Sequence, residues 1–192
     1  MEKKITYFEK PGGEENTAKT LVLAKARAEE LGIKTVVVAS TVGDTAVKAV
    51  DVFKGFKVII VTHVAGIREP NTQEFTEENR KIVEKKSGII VTAAHAFGAI
   101  HRSLGAPGGP PPPTDAMGDI IAMTLRNFGQ GMKVVCECAA MAADAGHVRT
   151  DKEIISIGGT GRGADTAVVL QPGYTHRFFN LRVKEIICKP RM

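Results

Sequence analysis

Tryptophan is absent, and two tyrosines and eight phenylalanines bring the aromatic share of the 192 residues to only 5%. Single-stranded nucleic acid is held on clustered aromatic platforms, so this scarcity argues against nucleic acid as the main ligand. Cysteine is scarce and odd in number, with three residues. Three thiols make no disulfide framework, and Cys136 and Cys138 stand too close for the usual structural zinc spacing, so reduced thiols are expected. The five histidines contain no i, i+4 pair and no metal motif, and no metal site is expected. No apolar run reaches about 18 residues, which argues against a transmembrane helix. The opening Met1-Glu2-Lys3-Lys4-Ile5 has lysines but no long apolar stretch or small-residue cleavage site. A signal peptide is therefore not expected, and the location is read as cytoplasmic.

What is present fits one globular domain spanning residues 1–192, with 43% hydrophobic and 24% charged residues. The net charge of +5 is concentrated at the end, where Arg177, Arg182, Lys184, Lys189 and Arg191 face only Glu185. A basic edge strand guards against sheet-to-sheet aggregation, and it also offers a surface to a partner.

Strands and helices alternate along the chain. Lys4 to Phe8 reads as a short strand, Pro11-Gly12-Gly13 as a turn and Asn16 as a helix N-cap. Ala18, Leu21, Val22, Ala28 and Leu31 form a helical stripe that Gly32 ends. Thr35 to Ala39 is β-branched and uninterrupted, as a strand buried on both faces should be. A helix follows through Ala46, Val47 and Val50 to Gly55, then a strand from Lys57 to Val61. Thr76 caps a helix with Glu77 and Glu78 at its start and Lys85 near its end, which suits the helix dipole. Gly88 to Thr92 is the next strand. The βαβαβ order implies parallel pairing with right-handed crossovers and hence an α/β class.

The proline run Pro107 to Pro113 reads as a stiff surface loop, either a spacer or a lid over a ligand. Thr114 is expected to cap a helix carrying Met117, Ile120, Ile121, Leu125 and Phe128, ended by Gly129 and Gly131. Met132 to Ala145 is read as a helix because of its alanines, with Cys136 and Cys138 packed on different sides. Glu153 to Ile157 and Thr166 to Leu170 are strands, and Phe179 to Val183 alternates like an edge or half-exposed strand.

Two strand-end turns read as anion sites. The first, Ser40-Thr41-Val42-Gly43-Asp44-Thr45, opens a helix whose unpaired N–H groups favour a phosphate. The second, Gly159-Thr160-Gly161-Arg162-Gly163, brings backbone amides close to a ligand. It formally fits a dinucleotide pattern, but the following segment is strand-like rather than helical, so that reading fails. Arg162 either grips a phosphate or pairs with Asp165. Open α/β sheets bind ligands beyond the carboxyl ends of their strands, which here supply Ser40, Thr41, Thr62, His63, Thr92 to His95 and the glycine turn. The Glu15-Asn16-Thr17 helix start is expected to point there too. His63 and His95 are the histidines at strand ends suited to proton transfer, although a structural or solvent-facing role is the ordinary reading of each.

Val36 to Ala46, Val58 to Thr62 and Glu153 to Thr160, followed by Arg162, Gly163 and Thr166, resemble the carboxy-terminal α/β domain of pyruvate kinase. The whole chain is similar to a group of small archaeal proteins with that fold, carried by Tyr7 to Gly12, Glu15 to Thr17, Gly159 to Ala167 and His176 to Phe179. The resemblance implies a three-layer α/β/α fold with a mixed five-stranded sheet whose last core strand is antiparallel. It also implies a bound flavin mononucleotide (FMN) and no kinase activity. In pyruvate kinase the first turn holds a phosphate of a sugar bisphosphate, and Ser40, Gly43 and Thr45 match it. Val42 and Asp44 depart from it, by replacing a hydroxyl and a basic residue.

Three functions follow as expectations: a protein binding a phosphorylated small molecule, a flavin-dependent oxidoreductase with a chamber under Phe97, and a regulatory or assembly protein using its basic last strand. The last strand also permits a homodimer.

Overall fold

The computed structural model describes residues 4–98 and 117–191. Among them, seven strands form one sheet: β1 (Thr6–Phe8), β2 (Thr35–Ala39), β3 (Lys57–Val61), β4 (Ile89–Val91), β5 (Ile154–Gly158), β6 (Thr166–Gln171) and β7 (Arg182–Pro190). Their spatial order is β1-β7-β6-β5-β2-β3-β4. All neighbours pair in parallel except at β6, which is antiparallel to both β5 and β7. The expectation of a mixed α/β sheet holds, but the count of five strands is corrected to seven.

Valine dominates the centre because β2 is covered on both faces. Val36 and Val38 join an apolar cluster with α1 (Glu14–Leu31), α2 (Asp44–Val52) and α3 (Glu77–Lys85), whereas Val37 joins a second cluster with α4 (Met117–Arg126) and α5 (Gln130–Asp144). All three valines are fully buried. This division follows from period-two alternation together with the right-handedness of parallel crossovers. The chain steps outward from β2 to β3 and β4, then returns through α4 and α5 to place β5 on the other side of β2. The two outermost strands, β1 and β4, are three residues each, which limits the exposed pairing edge.

Several local expectations change. Asn16 is not the cap of α1; Gly13 occupies that position, and the Asn16 side chain instead donates to the Lys10 and Gly12 carbonyls at 2.7 and 2.8 Å. Gly129 does not merely end α4 but caps α5, and Gly131 lies inside α5, where a Cβ would run into Thr166. Phe179 and Asn180 belong to a 3-10 helix, Thr175–Asn180, because Phe178 turns inward against Phe97 with ring centroids 5.1 Å apart. The last strand therefore starts at Arg182. β1 covers only its end, Cys188 to Pro190, so the basic stretch from Arg182 to Lys184 does lie on an exposed edge. The proline run and the Thr114 cap lie outside the described residues.

Candidate functional site

The reversal of winding between β2 and β5 leaves an open cleft of about 910 Å³ beyond the strand carboxyl ends. Such a switch point is the ordinary ligand position in an open α/β sheet, and the volume is that of a nucleotide-sized pocket. Helix α2 starts on one side of it and α5 walls the other.

The turn after β2 is held from behind. The Ser40 hydroxyl accepts the Ala46 N–H at 3.2 Å and the Ser40 N–H reaches the Val61 carbonyl at 3.0 Å, which locks the turn to the end of β3. Gly43 takes φ +111° against Asn79, whose side chain a Cβ would strike. Asn79 donates to the Val42 carbonyl at 3.1 Å and to Asp44 Oδ1 at 3.3 Å. That contact turns the Asp44 carboxylate towards α3, offsetting part of its repulsion of an anion. Thr45 is buried against the cleft, and one turn later Lys48 reaches Glu14 at 2.5 Å, holding the Glu14 carboxyl below its usual range.

The glycine turn is bound to the start of α1. Asp165 is fully buried; its Oδ2 accepts the N–H groups of Gly12 and Thr160 at 2.8 and 3.1 Å, and its Oδ1 accepts the Thr166 hydroxyl at 2.7 Å. The Thr17 hydroxyl accepts the Ala164 N–H at 2.9 Å and donates to the Gly13 carbonyl at 2.7 Å. Asp165 is thus fully engaged in tying the turn, and the alternative in which it pairs with Arg162 is corrected. Arg162 is exposed at the cleft mouth.

At the end of β3, His63 stands between two partners. Its Nδ1 lies 2.7 Å from Glu74 Oε2, and its Nε2 lies 3.4 Å from the Thr41 hydroxyl. Glu74 is fixed by its neighbours in sequence: the Gln73 amide donates to the His63 carbonyl at 3.0 Å, and Phe75 is buried in the core. Arg68 approaches the other Glu74 oxygen at 3.7 Å. The His95 ring packs 5.3 Å from that of His63.

The wall from α5 contains Val134, Cys138 and Met141 together with an ion pair, Lys133 with Glu137. Both charges are more than nine-tenths buried, and Glu137 also accepts the Phe97 N–H at 3.2 Å. Burial pushes the Cys138 thiol well above the usual range, so it is no nucleophile at neutral pH. Among the described residues no group of three or more His, Cys, Asp or Glu could hold a metal ion, and no helix is long and apolar enough to cross a membrane.

The family model of the pyruvate kinase alpha/beta domain matches residues 18–170. The chain belongs to that family. Within the pyruvate kinase alpha/beta domain match fall β2 to β6, five strands of which the last is the antiparallel one; β1 and β7 lie outside it.

Of the residues that sequence reasoning placed at the site, Thr17, Ser40, Thr41, Val42, Asp44, Thr45, Thr62, His63, His95, Gly159, Gly161 and Arg162 line the cleft. Five do not. Glu15 pairs with Lys19 on the surface, Asn16 ties the preceding loop, and Gly43 acts behind the turn. Thr160 points its hydroxyl into protein without a hydrogen-bond partner, and Phe97 is packed on Phe178. Sequence reasoning missed Glu74, Lys48 and the Lys133–Glu137 pair. The pair had a legible signal, two opposite charges at i, i+4 within an otherwise apolar helix. Glu74 had none, because loop conformation alone brings it to His63.

Proposed function

We propose that the cleft binds a small molecule through its phosphate, with FMN as the specific candidate. The observation that supports this reading is that the α2 start, Thr45 and Arg162 line one cleft whose α5 wall carries the apolar Val134 and Met141 beside the Lys133–Glu137 pair. Helix-start amides and cations suit a phosphate, and Val134 and Met141 suit a planar ring. The residues present therefore fit the flavin at both ends. Bound there, a flavin would supply hydride or electron transfer, while this chain would bind the phosphate and shield the ring. The α5 wall does not suit a second phosphate, since Lys133 is already neutralised by Glu137.

The first test is the visible spectrum of protein purified in native form, followed by mass spectrometry of whatever denaturation releases. FMN is expected to bind apoprotein more tightly than riboflavin, because only FMN reaches the phosphate site. Thr45→Val and Arg162→Ala should each weaken FMN binding about tenfold or more, the cost of a hydrogen bond to a charged group. Absence of any phosphorylated ligand, together with equal binding of FMN and riboflavin, sinks the reading. Reduction of the bound flavin by NADH or NADPH would extend it to an oxidoreductase. A second reading, partner binding through the last strand, is favoured by the exposed basic edge at Arg182 and Lys184. Loss of partner binding on reversing those two charges would support it.

A further inference from the structure

We propose that the cleft transfers a phosphoryl group from an activated donor of the acyl phosphate class, taken at the same phosphate site in place of FMN, to the hydroxyl of Thr41, with His63 as general base and Glu74 as a positioning residue. This inference rests on the phosphate-binding reading. Three things that such a transfer needs are already assembled: an acceptor hydroxyl, a base facing it and a carboxylate that holds the base. Glu74 engages Nδ1 of His63 at 2.7 Å, which leaves Nε2 as the nitrogen facing Thr41 Oγ1 at 3.4 Å. A free site commonly shows such a contact longer than the bound one. Thr41, His63 and Glu74 all line the cleft, and they come from the ends of two strands and a loop that only the fold brings together. A mere tie between Glu74 and His63 would not require Nε2 to face a hydroxyl in the anion turn.

The surroundings favour phosphorus over carbonyl chemistry. Arg162 borders the same cleft and can neutralise the oxygens of a moving phosphoryl group; Lys48 and Arg68 border it too, paired in this structure with Glu14 and Glu74. Of the acidic groups nearby, Asp44 is held by Asn79, Glu14 by Lys48, and Glu137 by Lys133. His95 packs against the His63 ring, with ring centroids 5.3 Å apart, and lines the same cleft.

In the step, Thr41 Oγ1 attacks phosphorus and a new O–P bond forms as the bond from phosphorus to the donor's leaving oxygen breaks. The hydroxyl proton passes to His63 Nε2 and from there to the leaving group or to water. No oxidant, reductant or further reactant is required. The product is a phosphorylated Thr41 just ahead of the α2 start, where a dianion is stabilised.

The full chain is incubated with acetyl phosphate as donor, and the modified position is mapped by mass spectrometry. One phosphate on Thr41 is expected, absent in Thr41→Val and formed at least about a hundredfold more slowly in His63→Gln. Glu74→Gln should slow it less, and Glu74→Asp should recover part of the rate, which a purely structural role would not produce. Inorganic phosphate binding, followed by calorimetry on the same proteins, shows whether each cleft is intact. Phosphate binding with Thr41 unmodified, or modification of His63→Gln at the wild-type rate, overturns the transfer and leaves the phosphate site standing. Failure of the wild-type protein to bind phosphate or to be modified removes both.

Discussion

Asp165 is the residue on which the greatest number of separate segments depend. With no exposed surface, it accepts hydrogen bonds from Gly12, Thr160 and Thr166, joining the amino-terminal loop, the glycine turn and β6. Asp165→Ala leaves the buried Gly12 amide and the part-buried Thr160 amide without their acceptor, the buried one alone costing about 1–3 kcal/mol. A loss of about 2–4 kcal/mol in urea denaturation is expected, with weakened phosphate binding because the turn is released. A variant of unchanged stability would show that the loop and turn are held by something else. Sequence alone placed Asp165 close to Arg162 and offered Arg162 an ion pair with it, or with another surface carboxylate, as an alternative to a phosphate contact. What it lacked was the return of Gly12, whose φ of +65° and close approach to the Thr160 and Arg162 carbonyls, 2.7 and 2.8 Å from an added Cβ, allow no side chain.

At the scale of elements, α5 is where local pattern and tertiary role diverge. Its helical course was legible from the alanines at 139, 140, 142 and 143, and its burial follows from them. Its charges were not legible as a site, because a helical pattern does not say which neighbours Lys133 and Glu137 face. Removing one partner leaves a buried charge alone, so Lys133→Met should cost about 3–5 kcal/mol. Replacing both, Lys133→Met with Glu137→Leu, should restore part of that stability, falling short by the buried Phe97 N–H that Glu137 no longer accepts. A thermodynamic cycle over the four proteins measures the coupling, and additive losses would mean that solvent in the cleft, rather than the partner, compensates each charge. The last strand was misplaced for a related reason. Phe179, Leu181 and Val183 alternate as a strand does, yet Phe178 is drawn into the core beside Phe97 and winds the preceding residues into a 3-10 turn.

For the whole molecule, the parallel pairing of β2, β3 and β4 followed from the βαβαβ pattern, and a cleft beyond the strand carboxyl ends followed from the α/β class; the spatial order, with β1 at the far edge and β5 beside β2, did not. The count of five was what the resemblance implied; the pattern itself marked strands at Lys4 to Phe8 and Phe179 to Val183, and what it did not carry is that β1 and β7 pair with each other across nearly the whole length of the chain, Thr6 with Cys188. This closing pair also distributes the thiols: Cys188 lies in the cluster beneath α1, whereas Cys136 and Cys138 lie in the cluster beneath α5. Burial pushes Cys136 up to about 12 and Cys188 up to about 11, and pushes Cys138 upward as well. An unfolded thiol ionises near pH 8.5, so above that value the unfolded chain releases protons that the folded chain keeps. Stability is therefore unaffected by these groups at neutral pH and falls as pH rises between about 9 and 11, by about 1.4 kcal/mol per pH unit for each thiol. Urea denaturation across that range should show the slope, and Cys188→Ala should reduce it by one thiol's share whatever it does to stability at pH 7. Because the thiols sit on both faces of the sheet, a slope that Cys188→Ala leaves unchanged would mean that the Cys188 side of the core admits water while still folded.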